Sequence, residues 1–319
     1  MPTSSTDQLL VAIAGPTGSG KSELALRVAE EFGGEVVSCD SLQLYRHFDI
    51  GTAKLPVEER RGVPHHMLDV IDPGESFSAG EYARRSRVLL EEITARGRLP
   101  IVAGGTGFYL RALLDGLFPG PARDDVLRSR LAVREARKPG SLHRLLGRFD
   151  QAAAQRIHPR DIHKLIRALE ICLLTRRSLS DAFAAGRDRL QGYRPLKIGL
   201  NPPREALYAR LDARCQRMFE QGLLDEVRRI LLLGCPPDAK PLESHGYSQA
   251  LKFLRGELSL QDAVLEARTN TRRYAKRQVT WFRREPGLEW FNGFGDQPEV
   301  QAAVITRVSL ALALAPETS

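Results

Sequence analysis

Apolar positions in the first hundred residues switch between two periods. Residues 8–14 read Gln-Leu-Leu-Val-Ala-Ile-Ala and stop at Gly15-Pro16; a short apolar run with β-branched residues between turn signals predicts a buried strand. Leu24, Ala25, Val28, Ala29 and Phe32 then recur at helical spacing, which predicts a helix over 22–32 ended by Gly33-Gly34. Residues 35–38 predict a second strand and 67–71 a third. A helix is expected over 81–96, closed by Gly97, and another buried strand over 99–103, leading into Gly104-Gly105. Strands alternating with helices imply β-α-β units and a parallel sheet.

The alternation stops near residue 121. Between 121 and 189 no strand pattern occurs, and 128–137, 141–148, 152–157 and 162–174 carry helical periodicity. Residues 197–200 (Lys-Ile-Gly-Leu) restore a strand ahead of Pro202-Pro203. Helices are predicted over 204–219, 223–233, 248–254 and 260–284, and a last strand over 288–291. The expected architecture is an α/β parallel-sheet core, discontinuous over 1–120 and 195–319, with an all-helical insertion over 121–194.

Composition narrows the class. A hydrophobic share of 42% and a charged share of 27% suit a globular chain and exclude wholesale disorder. No apolar run approaches the roughly 18 residues of a membrane span, so no membrane association is expected; the longest runs include 310–315. The N-terminal Met-Pro-Thr-Ser-Ser lacks the basic start of a signal peptide. Cys39, Cys172, Cys215 and Cys235 are widely spaced and read as reduced thiols of a cytoplasmic protein. His65-His66 lack metal-ligand spacing.

The net charge of +8 is unevenly held. Residues 123–177 carry 14 basic and 6 acidic side chains, and 268–284 carry 7 basic and no acidic ones, so the rest of the chain is net acidic. Segregation of this kind points to a polyanionic partner, although solvated helix faces give the same count. Arg273, Lys276, Arg277 and Thr280 fall on one helical face. Trp281 and Phe282, beside them, read as core.

Three segments carry chemistry. Gly15-Pro16-Thr17-Gly18-Ser19-Gly20-Lys21-Ser22 fits the phosphate-loop pattern and lies between a predicted strand and a helix start. Its glycines let backbone N–H groups turn toward a phosphate, Lys21 adds a full positive charge, and the Ser22 hydroxyl is placed to ligate Mg²⁺. The loop does not say which phosphate ester it holds. Ser38-Cys-Asp-Ser-Leu-Gln-Leu-Tyr45 follows the second strand, where the carboxyl ends of strands face a ligand crevice. There Asp40 can bind Mg²⁺ through water, take a proton from a nucleophile, or simply close an Asx-turn, and Gln43 offers an amide to a base edge. Thr106, in Gly104-Gly-Thr-Gly-Phe-Tyr109, can bond a substrate, orient Asp40, or cap a helix. Arg210 and Arg214 share a helical face, and one of them is expected to reach the phosphates. An ordinary P-loop kinase wants an acid after an apolar strand; here 99–103 runs into Gly-Gly-Thr, with no acid before Asp115.

Taken together, the phosphate loop, the Cys-Asp-Ser-x-Gln-x-Tyr block, Asp49-Ile-Gly-Thr-Ala-Lys54, Pro64-His-His-Met-Leu-Asp69, Gly104-Gly-Thr-Gly-Phe-Tyr-Leu110, Ile166-Arg-Ala-Leu-Glu170 and Ala275-Lys-Arg-Gln-Val-Thr-Trp-Phe282 resemble, in order, the tRNA dimethylallyltransferase family. The resemblance implies a P-loop NTPase-like core with an inserted helical domain. It implies transfer of a dimethylallyl group from dimethylallyl diphosphate to N6 of the adenosine at position 37 of tRNA, next to the anticodon. Asp40 is similar to the family's general base and Thr106 to its companion at the substrate, with Lys21 at the diphosphate. Asp40, Ser41, Leu42, Gln43, Thr106, Arg128 and His163-Lys164-Leu165-Ile166-Arg167 match positions that contact tRNA; Arg273, Lys276, Arg277 and Gln278 are added from the basic helix. The chain departs from the family at Ser248, where a basic residue is usual, and at His163-Lys164. The partners so implied are the tRNA anticodon stem-loop and dimethylallyl diphosphate, with Mg²⁺ as cofactor, no membrane and no obligatory protein partner, in a cytoplasmic monomer. A small-molecule kinase using ATP, an enzyme prenylating free adenine nucleotides, and a nucleic-acid-binding module are the rivals; the first two leave the basic segments unused.

Overall fold

A computed structural model describes residues 7–118, 120–121, 123–184 and 186–314. The N-terminal Met-Pro-Thr-Ser-Ser and residue 315 of the last apolar run lie outside the described residues. In chain order the regular elements are β1 (Gln8–Ala14), α1 (Lys21–Phe32), β2 (Gly34–Ser38), β3 (His65–His66), α2 (Ala79–Ala95), β4 (Leu99–Gly104), α3 (Gly107–Leu114), α4 (Asp125–Arg137), α5 (Ser141–Phe149), α6 (Gln151–Arg156), α7 (Ile162–Thr175), α8 (Leu179–Ala184), β5 (Tyr193–Leu200), α9 (Arg204–Glu220), α10 (Leu223–Leu232), α11 (Tyr247–Leu254), α12 (Leu260–Phe282), β6 (Leu288–Phe291) and α13 (Pro298–Ala313). They fall into two compact units, one running to Leu114 and resuming at Leu190, the other Asp115–Arg189. The helical unit thus starts and ends about six residues ahead of the 121–194 span read from the sequence. Phe118, whose ring lies 4.5 Å from that of Phe183, belongs with the helices, and β5 already begins at Tyr193.

In the first unit six strands form one sheet in the order β3-β2-β4-β1-β5-β6, every pair parallel. Alternation along β1 sends Leu9, Val11 and Ile13 into a core shared with Leu24 and Val28 of α1 and Val304 and Val308 of α13, and Leu10 and Ala12 to the opposite face. Two strands differ from the reading of the pattern. The edge strand is His65–His66, not 67–71, because Met67 and Asp69 take left-handed φ values of 59° and 55°; Ile71 keeps only an isolated bridge to Tyr45. β5 is eight residues long, and Pro195 hid its first half. β6 pairs with β5 only from Lys197 onward, so Pro195 has no ladder partner to lose on that side.

The second unit buries Leu131, Leu142, Leu146, Leu165, Leu169 and Ile171. Asp125 and Asp181 are exposed, and its other acids between 123 and 177 face inward or cap helices. Asp124, Asp150 and Asp161 accept from the backbone N–H groups of Leu127, Ala153 and Lys164 at the starts of α4, α6 and α7. Glu135 holds Leu142 N and Ser141 Oγ at the start of α5. With its acids so placed, the unit turns a basic surface outward. Among the described residues, no helix is long and apolar enough to cross a membrane.

Candidate active site

β1, β2 and β4 all end at one edge of the sheet, and each contributes a turn there. After β1 the chain passes Gly18 and Gly20 at φ 77° and 85° into α1. These left-handed values, open to glycine, let the backbone coil on itself, with Ser19 N donating to Pro16 O at 3.2 Å. Ser19 Oγ is buried and has no hydrogen-bond partner. Lys21 Nζ donates to Pro16 O at 2.7 Å; burial pulls its pKa down to about 8, with Asp40 acting to raise it and Arg214 to lower it further. Ser22 stands exposed in the first turn of α1. A glycine-bounded turn at a helix start, an orphan hydroxyl and a desolvated lysine are groups able to hold a polyphosphate.

The loop is braced from two helices. Thr17 N donates to Gln278 Oε1 at 2.8 Å, and Gln278 Nε2 donates to Gly105 O at 2.9 Å. This α12 amide therefore ties the phosphate loop to the turn after β4. Gln278 is buried and faces the loop, whereas Arg273, Lys276 and Arg277, expected with it at the RNA, and Thr280 are exposed. Of the two α9 arginines, Arg214 donates to Thr17 Oγ1 at 3.3 Å, and burial lowers its pKa. Arg210 turns to Asp296 at 2.8 and 2.9 Å and lies over the Phe294 ring. The geometry brings Arg214, not Arg210, to the loop.

Asp40 follows β2. One of its oxygens accepts from Leu42 N at 2.9 Å, the Asx-turn anticipated from the sequence. Thr106 fixes the backbone of that turn: its N donates to Cys39 O at 3.1 Å, and its Oγ1 accepts from Ser41 N at 3.0 Å. A side chain at Gly104 would collide with the Cys39 carbonyl, so the two turns meet only over glycine. Asp40 interacts electrostatically with Lys21, Arg214, His245 and Tyr274. The last two were missed in the sequence. His245 precedes the glycine that starts α11 and Tyr274 lies on α12, and their rings pack 4.6 Å apart. Burial, with Arg214 next, lowers the His245 pKa to about 4, so it is neutral at physiological pH. No local pattern marks either residue; only the packing of α11 on α12 brings them to Asp40.

The other motifs support this edge. Gln43 accepts from Ser38 Oγ at 3.0 Å and donates to Thr52 O at 3.4 Å, so its amide already has partners within the chain. Buried Lys54 donates to Tyr45 O and to Asp49 and Asp69 at 2.7 and 2.6 Å, joining two sequence blocks. Glu226 accepts from the N–H groups of Asp49, Ile50 and Gly51 and from Tyr247 OH at 2.5 Å. A polar pocket of about 370 Å³ lies over the edge, lined by Ser41, Leu42, His245, Asn270, Tyr274 and Arg277. A narrow slot of about 20 Å³ runs in beside Thr17 and Arg214. Trp281 and Phe282 pack inward, with Phe282 1% exposed and Arg111 over the Trp281 ring.

The helical unit sorts the remaining expected RNA contacts. His163 and Lys164 are exposed at the start of α7. Leu165 and Ile166 lie in the helical core. Arg128 and Arg167 both bind Glu170, at 2.7 and 2.6 Å, and Arg167 also donates to Pro121 O. Glu170 is wholly buried; desolvation pushes its pKa up, but Arg128, Asp124 N and Arg167 outweigh it and hold the carboxyl at about 2.

A model described as IPP transferase matches residues 43–285. The chain belongs to the IPP transferase family. This IPP transferase is 65% identical over 300 residues to the tRNA dimethylallyltransferase of Solibacter usitatus, covering 94% of this chain and 98% of that one. It is 53% identical to the enzyme of the same name from Koribacter versatilis, over 92% and 96%. Among solved structures it resembles a full-length tRNA isopentenylpyrophosphate transferase from Bacillus halodurans (37% identity, TM-score 0.70, 96% of both chains). It also resembles a eukaryotic dimethylallyltransferase described as acting on tRNA (27% identity, TM-score 0.83, 98% of this chain and 81% of that one). The phosphate loop and Asp40 precede the span matched by the family model.

Proposed function

We propose that this IPP transferase moves a dimethylallyl group from dimethylallyl diphosphate to N6 of adenosine 37 in tRNA, releasing diphosphate. The observation that carries the reading is the meeting, at one sheet edge, of a phosphate cradle holding an orphan Ser19 hydroxyl with Asp40 on the neighbouring turn. Whole-length likeness to tRNA dimethylallyltransferases supports the substrate pair. Nothing at the end of β4 supplies the acid a small-molecule kinase wants.

The N6 lone pair is delocalised into the purine and gains strength as its proton leaves. Asp40 accepts that proton, the N6–C1 bond forms, and the C1–O bond breaks with its electron pair going to the diphosphate. Lys21, Arg214 and the loop N–H groups stabilise the leaving charge. Neutral His245 and Tyr274 wall the base side without adding a competing charge. The base leaves its stack to enter, at a cost of a few kcal/mol, and the exposed basic faces of α12 and the helical unit offset this on the stem-loop backbone.

Mg²⁺ is the proposed cofactor. Among the described residues no three His, Cys, Asp or Glu side chains form a cage. A free Ser22 hydroxyl beside donor phosphates fits an ion that keeps its waters and takes few protein ligands. Bound there, it would neutralise diphosphate charge. A tRNA substrate also argues for a cytoplasmic location.

The test is to incubate an anticodon stem-loop with the protein and either dimethylallyl diphosphate or ATP, then weigh the nucleosides. A prenylated adenosine is expected with the first only; consumption of ATP on small acceptors with an unmodified stem-loop would refute the reading.

A further inference from the structure

The slot beside Thr17 and Arg214 is mostly apolar, with His245 and Thr271 as its other polar side chains. Its walls are Cys215, Met218 and Phe219 of α9, Leu223 of α10 and Ala267 of α12. Its free volume, about 20 Å³, is near that of a single water measured in the same way. Beyond it, between α9, α10 and the first half of α12, lies a second cavity of about 630 Å³, lined by Leu224, Leu260, Val264 and Leu265 with Gln216 and Arg268. Phe219 lines both. It is half-buried and contributes to the walls of both a slot with almost no spare room and a groove with a great deal.

We propose that Phe219 is the residue that limits the length of the allylic diphosphate this enzyme uses, by closing the inner end of the slot against the groove behind it. This rests on the prenyl-transfer reading. A donor whose phosphates sit in the loop has its apolar tail at the mouth of the slot, beside Thr17 and Arg214. A five-carbon tail places only its terminal methyls inside. A ten-carbon tail needs the space Phe219 fills. Interior packing is too dense to yield that space without displacing a side chain, and a hydrophobic slot discriminates by roughly 10–200-fold per methylene. Removing the ring joins slot and groove and gives the longer tail an apolar path. The bond changes are unaltered: N6–C1 forms, C1–O breaks, diphosphate leaves with the electron pair, and the N6 proton goes to Asp40.

The experiment compares the full-length protein with F219A and F219L on one anticodon stem-loop. Dimethylallyl and geranyl diphosphates are used separately, with kcat/KM taken from product nucleosides. The wild type is expected to prefer the five-carbon donor by at least tenfold. F219A is expected to shift the geranyl-to-dimethylallyl ratio at least tenfold toward geranyl, and F219L to fall between. If F219A does not fold, F219L carries the comparison, and F219W supplies the opposite sign by lowering kcat/KM for the short donor. A ratio unmoved in variants that still use dimethylallyl diphosphate would overturn the assignment of Phe219. A wild type that transfers neither group would instead overturn the prenyl-transfer reading.

Discussion

Two side chains at the proposed donor site each yield an expectation. Lys21 is drawn down to about 8 chiefly by burial. Its charged form, the one proposed to bind an anionic donor, therefore prevails below pH 8 and is lost above it. The KM for donor should rise as pH passes about 8, and K21R, whose guanidinium stays charged, should remove that inflection; a flat wild-type profile from pH 7 to 9 would contradict it. Gln278 holds two backbone groups of separate turns. Q278A leaves Thr17 N without its partner, at about 1–3 kcal/mol. Donor KM should rise several-fold with stem-loop affinity little changed, as titrations of each ligand would report.

Among the elements, the strand, glycine turn and helix of residues 8–32 were legible in the sequence because an apolar run, turn glycines and helical spacing follow one another there. The place of Asp40, in a turn just after β2, was legible from the strand pattern before it. What escaped was set by contacts between distant segments. His245 and Tyr274 meet Asp40 only when α11 packs on α12. The face of α12 that Gln278 occupies follows from its bond to Thr17, 261 residues away. Pro195 masked half of β5, since its tolerance depends on where β6 begins. The inner ion pairs of the helical unit were not legible either: Arg128 and Arg167 both bind buried Glu170. E170A strands two arginines in a half-buried site, and losing one partner of a buried pair costs about 3–5 kcal/mol. Its thermal unfolding should show the helical unit melting early. In the wild type the depressed pKa gives stability that is present above about pH 4.5 and lost as pH falls toward about 2. Circular dichroism in an acid titration should show this loss, and E170Q should blunt it.

Across the whole molecule, charge segregation has a structural cause. In 123–177 five of the six acids cap helices or lie buried, Asp125 alone being exposed, so most of the basic side chains face solvent. In α12 the basic residues lie opposite the buried Gln278. Stem-loop affinity should therefore fall steeply with salt, with log K linear in log salt. R273E/K276E should weaken binding and flatten the slope without changing the single-turnover rate at saturating RNA. A flat salt response in the wild type would remove the electrostatic part of the account.

The division of labour between a phosphate cradle and a proton-accepting carboxylate is tested most directly by the single-turnover rate of D40N at saturating tRNA and dimethylallyl diphosphate, with tRNA affinity measured on the same preparation. We expect the rate to fall by roughly 10²–10⁴-fold while affinity stays within a few-fold of the wild type. A rate that survives the substitution, or a loss of affinity as large as the loss of rate, would contradict the role given to Asp40.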